Sequence, residues 1–220
     1  MANYIISIQT PPGGPLSLPT PSNPSPSGNP AIFNDAMVVR RRVFIEEQNI
    51  DENAEIDDDD ARSWHWVLYT DSSSQINGST GQENATENGD RNPKPVAVIR
   101  LVPPPHAPHE VVSHPEKANS LPKYDLSHEP YVKLTRVAVL PEYRGLGLGR
   151  KVVDAALEWA EHHGGDTEDA YARVTGEQER KKWEGLVLVH AQVEVEEMYK
   201  RLGFETDEGL GRWDEEGIDH

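Results

Sequence analysis

The chain has 220 residues, a formal charge of −17 and no cysteine. That length suggests one domain with extensions, and the missing thiols remove disulfides, thiolate metal sites and any cysteinyl acyl intermediate. The charge argues against nucleic acid or an anionic membrane as partner, and no apolar run approaches the roughly 18 residues of a membrane span.

The N-terminus MANYIISIQT has no basic region ahead of a long apolar core, so a cytoplasmic location is expected, with the nucleus left open. Ile5, Ile6 and Ile8 predict a first strand over residues 1–8. Residues 10–30 hold eight of the 18 prolines and read as a linker or surface wrap. Residues 31–48 read as a helix, with Ile32, Ala36, Val39 and Val43 at helical spacing and Arg40, Arg41 and Arg42 turned mostly to solvent.

An aperiodic acidic loop is expected over 49–61. Residues 51–60 hold seven acids and no base, and residues 205–220 hold seven acids against Arg212; together they carry 13 of the 17 net negative charges. They are either two solvated segments or the flanks of a site for a cationic amine. Trp64–Thr70 and Pro95–Val102 predict a long hairpin, and the polar insertion 71–94 at its tip has nothing to bury. A second insertion, 103–130, is rich in proline and histidine. His106, His109, His114 and His128 lack ligand spacing there, so they read as chance and no metal is expected.

Tyr131–Val139 predicts a strand with Leu134, Val137 and Val139 suited to the interior; Pro141 ends it. Arg144, Gly145, Leu146, Gly147, Leu148 and Gly149 follow, then a helix with Val152, Val153, Ala156, Leu157 and Ala160 on one face. Residues 164–184 are charged and suggest a further helical piece. Leu186–Ala191 reads as an apolar strand and 193–202 as a short helix carrying Val195, Met198, Tyr199 and Leu202. Gly203 and Phe204 open a final strand region. The expected order is β, α, β, β, β, α, β, α, β, a mixed α/β sheet with helices on both faces.

A strand that feeds glycines into a helix N-terminus is an anion-binding device. The backbone can approach the ligand closely, and free N–H groups and the positive end of the helix dipole face it. The expected ligand is a phosphate or pyrophosphate. No G-x-x-x-x-G-K-[ST] occurs, and the spacing of Gly145, Gly147 and Gly149 is G-x-G-x-G rather than the dinucleotide G-x-G-x-x-G. A nicotinamide dehydrogenase therefore fails on spacing, and it also lacks a second strand ending in an acid about twenty residues on.

The remaining pattern, R-x-x-G-x-G after a strand carrying R-V-A-V, resembles motif A of the GNAT acyl-CoA-dependent N-acetyltransferases. Tyr199-Lys-Arg-Leu-Gly203-Phe204 is similar to the Y-x-x-x-G-F of those enzymes. Arg42-Val-Phe-Ile-Glu46-Glu47-Gln48, the E-x-D-x-x-D-x-x-x-x-H pattern of Glu55, Asp57, Asp60 and His65, His190-Ala191-Gln192 and the terminal Glu215-Glu216-Gly217-Ile218-Asp219-His220 resemble the ElaA-type branch. Its ending reads closer to E-D-G-I-P-H, and Asp219 stands at the proline here. The resemblance implies a single GNAT-like domain over 1–220 with a mixed, mostly antiparallel central sheet and helices on both faces. It also implies acetyl-CoA as cosubstrate.

The resemblance further implies that Val137, Ala138 and Val139 offer backbone groups to the pantetheine arm, and that the N–H groups of Gly145, Leu146, Gly147, Leu148, Gly149 and Arg150 hold the pyrophosphate. Arg144 either adds its guanidinium or bonds loop carbonyls. Gln192 lies seven residues before Tyr199, where many members carry a coenzyme-facing Asn. An amine with a reference pKa of about 10.4 must lose a proton before it attacks a thioester, and the leaving thiolate must regain one. Tyr199 is the expected acid. Glu47, His65 and His190 are the candidates for base, with Glu46 beside them. The expected reaction is direct transfer in a ternary complex to a primary amine: a polyamine, an amino sugar, a lysine side chain or a protein N-terminus. The competing class is a non-catalytic acyl-CoA-binding module. A monomer and a homodimer both stand open.

Overall fold

The computed structural model describes residues 3–71, 93–176, 181–215 and 217–219. The expected insertion at 71–94 falls almost wholly outside them, as do Glu216 and His220 of the terminal motif. In chain order the elements are β1 (Tyr4–Gln9), α1 (Ala31–Arg40), a π-helical continuation (Arg41–Glu47), α2 (Glu52–Glu55), β2 (Trp64–Thr70), β3 (Pro95–Val102), α3 (Glu110–Ser113) and β4 (Val132–Val139). They continue with α4 (Leu148–His162), α5 (Gly164–Thr175), β5 (Val187–Val189), α6 (Glu196–Lys200), β6 (Asp214–Glu215) and β7 (Ile218–Asp219).

Strands β1 to β5 form one sheet in sequential order, antiparallel from β1 to β4 and parallel between β4 and β5. The parallel pair is joined by the α4–α5 crossover, as parallel neighbours require. Helices cover both faces, as expected. Strand β2 shows how the two layers are sorted. Trp64, Trp66 and Leu68 pack toward Val152, Val153, Ala156 and Ala160 of α4, while Val67 and Tyr69 pack toward Ala36 and Val39 of α1. A strand buried on both faces reads as a continuous apolar run, which WHWVLYT is. Trp159 of α4 closes its side of the core, 4.7 Å from the Trp64 ring and 5.7 Å from Trp66. Among the described residues no helix is long and apolar enough to cross a membrane.

Three expectations change. Gly203 and Phe204 open no strand. Gly203 lies at φ +92°, its N–H bonds Lys200 O, and the Phe204 N–H returns to Tyr199 O at 3.1 Å. The Gly-Phe pair thus terminates α6, a left-handed glycine cap with the following residue folded back on the helix. The chain then runs irregularly to the separate β6–β7 ribbon.

Arg40 does not face solvent. It is fully buried, on the same helical stripe as Phe33, Ala36 and Met37. The acidic segment is not wholly solvated either: Asp51, Glu52 and Asp58 are exposed, but Glu55 and Asp60 are 1% and 0% exposed. Arg40 Nε meets Glu55 Oε1 at 2.5 Å and its Nη1 meets Asp60 Oδ1 at 2.6 Å. Arg100, central in β3, grips Asp57 with both terminal nitrogens at 2.7 and 2.9 Å and also reaches Asp60 at 3.0 Å. Two buried guanidinium groups need these carboxylates, because an uncompensated buried charge costs several kcal/mol.

In the insertion 103–130 two of the four histidines, His106 and His109, are packed against aromatic rings, and His114 and His128 are exposed. His106 stacks on Tyr131 at 4.3 Å, and its Nε2 sits 2.8 Å from Tyr131 O. His109 lies edge-on to both His190 and Trp213.

Candidate active site

Strand β4 is paired on one side by β3 from Lys133 to Val139 with one irregularity, but on the other side by β5 only from Val132↔Val187 to Leu134↔Val189. Residues 135–139 therefore present one edge that no strand among the described residues covers. The edge is displaced by a bulge. Between the pairs Arg100↔Thr135 and Val98↔Ala138, β4 carries two residues, Arg136 and Val137, where β3 carries only Ile99. Arg136 sits in the left-handed region at φ +52°. An extra residue bends a strand and ends its regular pairing, so β4 and β5 part just beyond Leu134.

The free edge leads into the glycine loop. Gly145 and Gly147 lie at φ +76° and +74°, and Gly147 is the N-cap of α4. A residue with a Cβ at either position would be strained. Leu148 is buried and anchors the first turn, whereas Leu146 stands out into solvent. A Cβ on Gly149 would lie 3.6 Å from Met198 Sδ and 3.7 Å from a Val139 methyl, so the loop is packed against both β4 and α6. No side chain caps α4 and no acid occupies its first turn. The positive end of a 15-residue helix is thus presented with no side-chain acceptor at the end of an open strand edge.

Opposite this loop lies the end of the π-helical continuation. Such segments are rare and recur at functional sites. Here it delivers Glu47 and Gln48. Arg144 holds Glu47 with two bonds, Nη1 to Oε1 at 2.7 Å and Nη2 to Oε2 at 2.6 Å, and donates Nε to Val139 O at 3.1 Å. The Arg144 hydrogen bonds keep the Glu47 carboxyl below its usual range. Gln48 and Gln192 exchange side-chain amide bonds at 3.4 and 3.3 Å. Arg144 thus links Glu47 to the end of β4 and the glycine loop, and the Gln48–Gln192 pair links the next residue of that helix end to the segment before α6. Gln48, the partner of Gln192, was not anticipated. Arg150 itself turns toward Asp154, 3.3 Å away.

Of the other three candidates, two line a cavity beside β5 and one is enclosed in the core. Tyr199 and His190 line a cavity of about 140 Å³ beside β5, with Phe204, Trp213 and Glu196. Tyr199 is 5% exposed, its ring edge-on to Phe204 at 5.5 Å, and burial pushes its phenol well above the usual value. Its neighbour Met198 touches the glycine loop, which ties α6 to the groove. His65 requires a correction. It is 0% exposed, its Nε2 is 3.0 Å from Asp60 O, and its ring lies edge-on to Phe33 at 5.2 Å. Burial pushes it down to about 4, so the ring is neutral at pH 7, but no face of it meets a ligand. The reason is that β2 is an inner strand covered on both faces.

An open strand edge running into an uncapped helix N-terminus offers main-chain hydrogen-bonding groups and the positive end of a helix dipole in line. Residues 48–204 match the sequence model of the acetyltransferase (GNAT) family, and the chain belongs to that family. Its fold is shared with Escherichia coli ElaA, at 19% identity over 100% of this chain and 96% of that one, with a TM-score of 0.50. It is also shared with a Lactobacillus plantarum protein assigned as an N-acetyltransferase, at 21% identity over 98% of this chain and 92% of that one, with a TM-score of 0.51. At such identities the likeness speaks for the fold.

Proposed function

We propose that the protein is an acetyl-CoA-dependent N-acetyltransferase that passes the acetyl group directly to a primary amine in a ternary complex. The observation that carries this reading is the unpaired β4 edge leading into the uncapped, glycine-lined start of α4. The donor set fits acetyl-CoA in order: main-chain groups of Val137 to Val139 suit the amide-bearing pantetheine arm, and N–H groups from Gly145 to Arg150 suit the pyrophosphate. When bound, acetyl-CoA supplies a thioester acyl group.

The chain's own residues supply positioning and protons. Arg144 is exposed enough to exchange Glu47 for a phosphate oxygen, and Glu47, once released, faces the groove as a carboxylate that takes up the amine proton directly or through water. A C–N bond forms, the C–S bond breaks, and the thiolate takes a proton. Tyr199 is the proposed donor, on its place in α6 directly after Met198, which packs at the start of α4. The amine remains unspecified in class beyond being primary. Glu55, Asp57 and Asp60 pair inward with Arg40 and Arg100, so these three acids do not face an acceptor.

The test is thiol release from acetyl-CoA against an amine panel, beside calorimetric titration of coenzyme A. Binding with acceptor-dependent release is expected, and Tyr199→Phe should lower kcat about 100-fold while leaving coenzyme affinity intact. Binding without turnover on any amine would favour a non-catalytic acyl-CoA module. Absence of binding would overturn the reading of the groove.

A further inference from the structure

A left-handed backbone at a non-glycine residue costs on the order of 1–2 kcal/mol, and it persists only where its surroundings over-determine it. Arg136 is such a residue, and its side chain makes two hydrogen bonds through Nη2 and one longer ion-pair contact through Nε. Nη2 lies 3.3 Å from Glu55 O and 3.3 Å from Asp57 Oδ2, and Nε lies 3.4 Å from Glu55 Oε1. The guanidinium also covers the Phe44 ring, 5.9 Å from its centroid. Its partners are themselves paired. Glu55 is held by Arg40 through its carboxylate and, with Arg40 Nη2, through its carbonyl oxygen. Asp57 is held by both terminal nitrogens of Arg100. Arg100 in turn donates Nε to Thr135 Oγ1 at 2.8 Å, directly before the bulge. Three guanidinium groups and three carboxylates thus form one balanced cluster that grips β4 at residues 135 and 136.

We propose that this cluster positions the coenzyme groove, with Glu55 and Asp57 clamping Arg136 so that its left-handed backbone holds the bulge and keeps the edge of Val137 to Val139 open. The inference rests on the assignment of that edge to the pantetheine arm. It gives the acidic segment a role in coenzyme binding rather than in acceptor recognition. Arg136 is a positioning residue, acting through the backbone that follows it.

The experiment compares coenzyme A affinity, by calorimetry, and the acetyl-CoA KM and kcat for Arg136→Gly, Arg136→Asn, Arg136→Val, Asp57→Asn and the double variant Asp57→Asn/Arg136→Gly. Unfolding temperatures are measured in parallel. Glycine and asparagine adopt a positive φ readily, so both single variants should bind within about twofold of the wild type. Valine excludes that region and should weaken coenzyme A by about tenfold or more, in KM rather than kcat. Asp57→Asn should weaken binding severalfold, and Arg136→Gly should restore it in the double variant. The proposal is overturned if glycine and valine are equally harmful, since the guanidinium would then act on the ligand itself. It is equally overturned if the variants shift only unfolding temperature, or if glycine fails to rescue Asp57→Asn. Should Arg136→Val not fold, the asparagine variant and the rescue still decide. A wild type that binds no coenzyme A is a different result, and it refutes the groove assignment instead.

Discussion

Replacing Glu47 with Gln tests whether Arg144 changes partners when the coenzyme arrives. The two side chains are 45% and 39% exposed and joined by two short bonds. Exposed ion pairs contribute about 0.2–1 kcal/mol, and a bidentate guanidinium–carboxylate pair belongs near the upper end. If Arg144 leaves Glu47 to meet the pyrophosphate, the wild type surrenders that contribution on binding and the variant does not. Glu47→Gln should therefore bind coenzyme A more tightly, by up to about fivefold, since 1.4 kcal/mol corresponds to tenfold. The advantage should shrink as ionic strength rises, because both contacts are exposed. Acetyl transfer should move the other way and fall about 100-fold, the lower end for loss of a general base. Calorimetry at low and high salt reads the first effect, and steady-state thiol release reads the second. Arg144→Ala belongs in the same set: the two substitutions share a contact and should couple. Unchanged or weaker coenzyme affinity in Glu47→Gln would refute the exchange and leave Arg144 as a strut between Glu47 and the Val139 carbonyl.

Arg40→Met leaves Glu55 and Asp60 short of a buried partner and should destabilise by about 3–5 kcal/mol, measured by urea unfolding. His65 binds its proton in the unfolded chain at a pH near 6.5 but in the folded protein only near 4. Its contribution to stability is therefore full above about 6.5 and lost as the pH falls toward 4, by up to roughly 3 kcal/mol. Unfolding free energies at pH 7 and pH 5 should differ accordingly, and His65→Gln should flatten the slope. Gly147→Ala places a Cβ at φ +74° and should cost about 1 kcal/mol together with measurable coenzyme affinity. Gly149→Ala meets only ordinary contacts at 3.6 and 3.7 Å and should be milder.

The readable parts of the fold were those set by local pattern. Periodicity located β1 to β4 and α4 closely, because each is a run of apolar residues bounded by proline, glycine or polar stretches. The glycine loop was legible for the same reason: its spacing, its strand and its helix are contiguous. The candidate site was only half legible. Nothing local says that β5 pairs with β4 for three residues and then departs, or that Gln48 meets Gln192 across 144 positions. Gly203 and Phe204 misled because glycine followed by an aromatic serves equally well to start a strand or to cap a helix. His65 misled because a histidine in an apolar strand gives no sign of which face is covered, and on an inner strand both are.

The acidic segment shows where a clue was present and a local reading could not use it. Counting charges over ten residues treats 51–60 as a solvated run, yet its partners lie 15, 43 and 81 positions away, at Arg40, Arg100 and Arg136. The clue is Arg100 itself. In the strand PVAVIRLV a guanidinium stands among side chains that belong inside on both faces, and the cost of burying it alone exceeds what one strand can return. A carboxylate partner is therefore required, and the richest supply in the chain is the run beginning at Asp51. Arg40 follows by the same reasoning, since it shares a helical stripe with Phe33 and Met37. Two arginines on apolar stripes and one acid-rich segment between them in sequence imply a buried cluster. The third arginine, Arg136, is the one whose backbone geometry then links that cluster to the groove.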